Sequence, residues 1–248
     1  MLQPHYYNIY FNINDNLQQL ADILFSRWFL QFEFPNKDGK PYRSHQGVFE
    51  YNKQLKRQIP KDWKVVNIKD LCQLTWGQCP EGKNILDLAS SSENTMFYCS
   101  GAGDMRNGIV VDCQALTNAS RRIAKKGDIL MSGAGSIGAL AICDKTISLG
   151  RAAVSFRPQE NHLAFCYLMI KKYVDRIKSI SSGSIQKVIN DAHIDDINFA
   201  FHPEIVDKFQ FVNQMITQCV SLELENRQLK ELRDELVPLL MNGQVSLR

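Results

Sequence analysis

Apolar positions follow three different rhythms along the 248 residues. In 14–32, Leu17, Leu20, Ala21, Leu24, Trp28 and Phe32 recur at spacings of three and four. That spacing predicts an amphipathic helix, with Asn14 or Asp15 as its cap. Pro35 stops it, and Asn36-Lys37-Asp38-Gly39 reads as a turn. The polar stretch to about 58 reads as a connector, and Ile59-Pro60-Lys61-Asp62-Trp63 opens a new segment. From 63 to about 200 short β-rich runs alternate with Gly, Ser, Asn and Asp: Trp63–Ile68, Gly108–Asp112, Asp128–Ser132, Ala139–Cys143 and Ala152–Phe156. Leu163–Ile177 predicts a helix within this block.

The third rhythm is a long helix over about 203–240, more than about 50 Å at the helical rise. Ile205, Phe209, Val212, Ile216 and Cys219 repeat at 4-3-4-3, a heptad seam. The seam slips by a stammer at Leu222 and runs on through Asn226, Leu229, Arg233, Leu236 and Leu240. Pro238 lies near its end and Gly243 is a terminator. Such a stripe also suits a helix packed on its own domain; the length and the 3.5-residue period favour a coiled coil. The two helices resemble each other. Shifted by 212 positions, Asn14, Leu17, Leu20, Asp22 and Leu24 meet Asn226, Leu229, Leu232, Asp234 and Leu236. This reads as an internal repeat flanking one domain. The fold class expected is α+β: one mixed, strand-rich domain between a short N-terminal helix and a long C-terminal helix.

Composition narrows the function without naming it. The chain is 44% apolar and 22% charged, an ordinary folded protein. Its net charge of +3 allows a nucleic-acid partner but requires any binding face to be local. The seven cysteines form no CxxC pair and read as free buried thiols of a reducing cytosol. The five histidines have no metal-ligand spacing. No apolar run reaches a membrane span, and the start lacks a signal-peptide layout, so a soluble cytoplasmic protein is expected.

Several motifs imitate chemistry. Gly133-Ala134-Gly135-Ser136-Ile137-Gly138 matches GxGxxG literally, but a second strand-like run follows it, and no acidic residue lies near 153. It reads as a glycine-rich hairpin turn needing positive φ. No phosphate loop ending in Gly-Lys-Ser/Thr is present. Asp70, Glu81 and Lys83 could be drawn as a metal-dependent nuclease, yet Glu81-Gly82-Lys83 follows Pro80 in an apparent loop and reads as a solvated charged turn.

Other segments resemble the specificity subunits of type I restriction–modification systems. The helix 14–32 with Leu24-Phe25-Ser26-Arg27-Trp28-Phe29, then Phe32-Glu33-Phe34-Pro35-Asn36 and Gly39-Lys40-Pro41-Tyr42, is similar to the family's spacer between target-recognition domains. Ile59-Pro60 with Trp63 resembles the start of such a domain. Tyr98–Asp104, Lys126–Ser132, Ser136-Ile137-Gly138 and Ser181–Lys187 resemble recurrent stretches within it. Leu229–Val245 resembles the family's terminal helix. The adenine-methyltransferase tetrapeptide known from the partner subunits, Asp/Asn-Pro-Pro-aromatic, is absent. Family members usually carry two recognition domains; this chain has one. The resemblance therefore implies a conserved helical region over 1–43, a target-recognition domain over 44–202, and a conserved spacer helix over 203–248.

The resemblance further implies a non-catalytic subunit that grips half of a bipartite DNA site and docks methyltransferase and restriction subunits. S-adenosylmethionine, ATP and Mg would sit on those partners, not on this chain. A homodimer, or a pair with a different half-specificity chain, would rebuild the usual pseudo-twofold layout. The spacer and dimer contacts would come from Leu17, Leu24, Trp28, Phe209, Val212, Ile216, Leu222, Leu229, Leu232 and Leu236. Candidate DNA contacts are the basic cluster Arg121, Arg122, Lys125 and Lys126, together with Arg106, Arg151 and Lys187. To these are added Ser132, Ser136, Ser182, Ser184 and Gln186, with hydroxyl or amide groups for phosphates and base edges. A stand-alone DNA-binding protein and a coiled-coil scaffold are the alternatives from other classes.

Overall fold

A computed structural model of the chain describes residues 4–106, 108–180 and 188–242. In chain order come α1 (Pro4–Phe25), extended by a π turn over Ser26–Leu30, then β1 (Phe49–Asn52), β2 (Arg57–Pro60) and β3 (Lys64–Asn67). Next are α2 (Ile68–Leu71), β4 (Cys72–Trp76), β5 (Ile85–Asp87), β6 (Met96–Cys99), β7 (Ala115–Thr117) and β8 (Ile123–Ala124). The central strands β9 (Ile129–Ser132), β10 (Leu140–Ile142), β11 (Ile147–Leu149) and β12 (Ala153–Pro158) follow. The chain then forms α3 (Leu163–Ile180), α4 (Asp191–Asp195), β13 (Asn198–Phe201), α5 (Pro203–Lys208) and α6 (Phe211–Met241).

The class is α+β, as the sequence predicts, and the layers follow from alternation along the central strands. A four-stranded sheet has the order β10-β9-β12-β4, and a five-stranded sheet the order β5-β7-β6-β11-β8. Every residue of β9 is buried. Ile129 and Met131 face the large core shared with the helices, while Leu130 faces a smaller core with Cys99, Ala124, Ala141, Ile147, Leu149 and Ala153. The four-stranded sheet is thus covered by helices on one side and by the second sheet on the other. That two-sided burial explains why Ile129-Leu130-Met131 is a continuous apolar run.

The helical layer meets the sheet at an aromatic knot. The Phe29 ring lies 4.8 Å from Phe165, 5.0 Å from Phe209, 5.2 Å from Phe25 and 6.1 Å from Trp63. It therefore ties α1's π turn to α3, to the bend before α6 and to the residue that leads into β3. Lys171 on α3 adds an ion pair of 2.6 Å to Asp22 on α1.

Four expectations change. The N-terminal helix is not short: it begins at Pro4, so Asn14 is an interior, buried residue and not a cap. Proline tolerates that first helical position because no backbone N–H is needed there. The connector before residue 58 contains the hairpin β1–β2, whose register Glu50↔Ile59 and Tyr51↔Gln58 had no strong alternation to announce it. Gly108–Asp112 is not a strand and makes one isolated bridge, Val110↔Ile142. The long C-terminal helix is broken after Lys208, where Phe209 turns into the aromatic knot and Val212 N bonds Phe209 O across a tight turn.

The seam itself divides. Ile205, Phe209, Val212, Ile216 and Cys219 are buried in the chain's own core, so the packed-helix reading holds for this half. Leu17, Leu24 and Trp28 are half-buried against the same core. Beyond the half-buried Leu222, Leu229, Leu232 and Leu236 are exposed, with Leu229 at 44% and Leu232 at 51%. Among the described residues of the seam, only that last stretch is uncovered. Pro238 lies inside the last turn of α6; Gly243 falls outside the described residues. Among the described residues no helix is long and apolar enough to cross a membrane.

One buried carboxylate organises one end of the four-stranded sheet. Asp128, 1% exposed, accepts two bonds of 2.8 Å from the Arg157 guanidinium, one of 2.9 Å from Ser155 Oγ, and one of 2.9 Å from Lys125 N. The geometry is bidentate, so the charge is fully partnered and the pair raises the Arg157 pKa. Asp128→Ala leaves the guanidinium without its partner; chemical denaturation should show a loss of about 3 kcal/mol. Retention of stability within experimental error would mean that the pair is replaceable by water.

His162 provides a pH signature. Burial holds its imidazole below the ordinary histidine pKa, against the weaker pull of Asp207 at 3.9 Å. The neutral ring is favoured in the fold, so the unfolded chain binds more protons below about pH 6.5. Stability should therefore fall as pH drops through that value. His162→Phe, which keeps an aromatic ring beside Phe201, should flatten that part of the profile; urea midpoints between neutral and mildly acidic pH measure it.

Candidate nucleic-acid interface

The pairing register sorts the candidate DNA contacts by which end of the sheets they occupy. At one end of the four-stranded sheet Ser132 stands opposite Ala153, and Trp76 opposite Val154. The Gly133–Gly138 loop leaves from this end, and the Gly150–Ala152 turn enters it. Gly133 N bonds Ala152 O at 2.8 Å, and Gly77 N bonds Ala153 O at 2.9 Å. In the second sheet, Leu149 pairs with Cys99 and bonds Arg122 O at 2.8 Å, which places Arg122 two residues along from Arg151. The chain returns here at Val188, which bridges Ala134, and Ile189 N bonds Gly133 O at 2.7 Å.

The structure thus gathers Arg106, Arg121, Arg122, Ser136 and Arg151 toward one end, all exposed. The Arg106 guanidinium donates to Ser136 Oγ, which ties a loop of the second sheet to the glycine loop of the first. Lys125 and Lys126 do not join them. They sit at the opposite end of β9, where Gly127 N bonds Cys143 O and Ala124 pairs with Ile147. Adjacency in sequence misleads here because an extended strand of four residues separates the lysine turn from the glycine loop. Ser132 is also redirected. It is fully buried, its hydroxyl donates to Ser136 O at 2.6 Å and accepts from Ala139 N at 2.9 Å, so it shapes the loop from within. Ser182, Ser184, Gln186 and Lys187 lie outside the described residues.

The glycine loop has the geometry its sequence predicts. It joins β9 to the antiparallel β10, and Gly135 and Gly138 hold φ of 72° and 78°. A dinucleotide fold would place a helix there instead. The Asp70, Glu81 and Lys83 set also dissolves: Asp70 accepts from Asn67 N to cap α2, while Glu81 and Lys83 form an exposed ion pair of 2.9 Å.

Two features of this end were not foreseen. Cys79 is exposed, against the expectation that every thiol is buried; the other six are. Tyr98 donates to its sulfur at 3.5 Å, and that bond, with the backbone and charge of Arg151, lowers the thiol's pKa. Burial in turn raises the Tyr98 phenol. The second feature is a latch: Trp76 Nε1 donates to Asp191 Oδ1 at 2.8 Å, and Lys69 bonds Asp195 at 2.5 Å, holding α4 against β4 and α2. Tryptophan at a strand end, with an acid-rich short helix over a hundred residues on, leaves no sequence signal for such a pairing.

This arrangement offers guanidinium groups, a hydroxyl and backbone N–H groups along loops at one edge, and among the described residues there no general acid, base and nucleophile are assembled. Such a surface suits phosphate and base-edge contacts.

Comparison with known proteins places the chain in a family. A model of the type I restriction modification DNA specificity domain matches residues 60–230. The MjaIX type I restriction enzyme specificity subunit of Methanocaldococcus jannaschii is 22% identical over 94% of this chain and 54% of its own length. The HindI type I restriction enzyme specificity subunit of Haemophilus influenzae is 23% identical over 75% of this chain and 42% of its own. The chain spans about half the length of these curated relatives. Among solved structures, an HsdS subunit from Thermoanaerobacter tengcongensis superposes with a TM-score of 0.50 at 14% identity, covering 97% of this chain and 54% of that one. A chain from a structure of type I restriction–modification complex assembly and conformational transition gives 0.53 at 15% identity, covering 94% and 52%. These superpositions show a shared fold, and the match over 60–230 shows descent: the chain belongs to the type I restriction modification DNA specificity domain family.

Proposed function

We propose that this chain recognises one half of a bipartite DNA site for a type I restriction–modification complex and performs no chemistry itself. The observation that carries the reading is the coincidence of the family match over 60–230 with the strand-built region whose loops gather Arg106, Arg122, Ser136 and Arg151 at one edge. Affinity comes from phosphates held by these arginines, and specificity from base edges reached by neighbouring loops. The working division is a helical region over 1–43, a target-recognition domain over 44–202 and a spacer helix over 203–248.

The partners are double-stranded DNA, methyltransferase subunits and restriction subunits. S-adenosylmethionine belongs to the methyltransferase, which takes the target adenine out of the stack; ATP and Mg serve the restriction subunits. The complex works on DNA in the cytoplasm. The exposed Leu229, Leu232 and Leu236 on the outer part of α6 supply an apolar stripe for a coiled-coil contact with a second copy or a different half-specificity chain.

Co-expression with its methyltransferase subunit, followed by mapping of methylated adenines, tests the reading. A palindromic gapped motif is the expected result for two identical copies, and an asymmetric one for a mixed pair. No new methylation from soluble, co-purifying subunits would reject the recognition role; failure to co-purify would reject the subunit role.

The arginine edge has its own test. Arg122→Ala and Arg151→Ala should each flatten the log–log salt dependence of duplex binding by about 0.9, the value of one lost phosphate contact. Lys126→Ala, at the far end of β9, should leave that slope unchanged. The reverse pattern would move the DNA face to the lysine turn.

A further inference from the structure

The segment that follows Arg106 is held from two sides. On one side, Ile142 N bonds Ile109 O at 2.7 Å and Val111 N bonds Ile142 O at 3.2 Å, fixing it to β10. On the other lies α6. The Arg227 guanidinium donates to Val110 O at 2.6 Å and to Val111 O at 3.0 Å, while Glu223 on the preceding turn accepts from its Nε at 3.3 Å. These carbonyls belong to no continuous strand, so the planar fork supplies donors that a ladder would otherwise provide. Gly108 rests on the same helical face at φ 144°, a conformation that side-chain-bearing residues rarely adopt, and a Cβ there would lie 2.2 Å from Glu223 Oε1, so that carboxylate or the loop would have to shift.

The loop is also closed at its base. Asp112 N bonds Asp104 O at 2.7 Å, and the buried Asp104 carboxylate accepts from Ser100 N and Ser100 Oγ, both at 2.7 Å. Arg106 therefore projects from a loop pinned at its root by Asp104 and Asp112 and along one limb by α6. At its tip Arg106 bonds Ser136 of the glycine loop.

From this chain of contacts we infer that Arg227 is a positioning residue: through its grip on Val110 and Val111, the spacer helix fixes where Arg106 stands at the DNA edge. The inference rests on the DNA-reading role proposed above. It adds that the helix which spaces and docks is mechanically joined to the surface that reads. Arg227 is not itself the DNA contact. Its side chain is 24% exposed and its guanidinium is engaged by two carbonyls and by the carboxylates of Glu223 and Asp112.

Binding of a random-sequence duplex, measured by anisotropy over a series of salt concentrations, tests this on the full chain. Arg106→Ala should flatten the log–log slope by about 0.9. Arg227→Gln should do the same, and so should Arg227→Lys, which keeps the charge but cannot span two carbonyls. The double variant Arg106→Ala/Arg227→Gln should lose no more than Arg106→Ala alone. If Arg227→Gln fails to fold, as judged by circular dichroism, Gly108→Ala takes its place. That change strains the backbone of the same loop at φ 144° and should give the same flattening.

Three results would overturn the inference while leaving the DNA edge intact. They are a native slope in the Arg227 variants when Arg106→Ala flattens it, a native slope restored by lysine alone, and a double variant that loses about 1.8. The last would make Arg227 a phosphate contact of its own. A native slope in Arg106→Ala would overturn both the inference and the proposed edge.

Discussion

Phe29 is the point at which the helical layer and the sheets become one body. Its ring meets Phe25 from the same helix, Phe165 from α3, Phe209 from the bend before α6, and Trp63 at the start of the strand-built region. Burying several large rings together contributes more than their areas alone, because edge-to-face contacts add to the apolar burial. The bend between α5 and α6 exists because Phe209 must point into this cluster. The direction in which α6 leaves the domain, and hence everything the helix positions, depends on that constraint.

Outward from the knot, burial falls off and polar devices take over. β9 is apolar on both faces because it lies between two cores, and the charges near it are confined to its ends. At one end Asp128 closes the lysine turn through Arg157. At the other, the glycine loop and its neighbours carry arginines. A chain with a net charge of only +3 can in this way present a local basic edge, which is what short-range, salt-screened attraction to phosphate requires.

Helix α6 has two characters. Its inner half is an ordinary core helix, packed through Val212, Ile216 and Cys219. Between the halves, Glu223 and Arg227 grip the loop that carries Arg106. Its outer half offers leucines to solvent, which a single chain leaves uncovered.

The α+β class was legible in the sequence, because periodicity and the glycine, proline and aromatic punctuation are local properties of the chain, and the family was legible as a resemblance of particular stretches such as Lys126–Ser132 and Leu229–Val245. So were β9, β10, β12 and α3, nearly to the residue, and the positive-φ hairpin at Gly135 and Gly138. How the candidate DNA contacts group in space was not legible: Arg106, Arg122 and Arg151 lie toward one end of the sheets, while Lys125 and Lys126, their neighbours in sequence, lie at the other end of β9. The hairpin before residue 60, the early start of α1 at Pro4 and the break at Phe209 lacked a local signal strong enough to override their surroundings. Only the tertiary structure decided which end of the sheets each loop occupies, that Ser132 faces inward, that Cys79 faces outward, and that Arg227 reaches across to Val110 and Val111. Strand register and helix packing set those relations between residues far apart in the chain, and a one-dimensional pattern does not encode a distance through space.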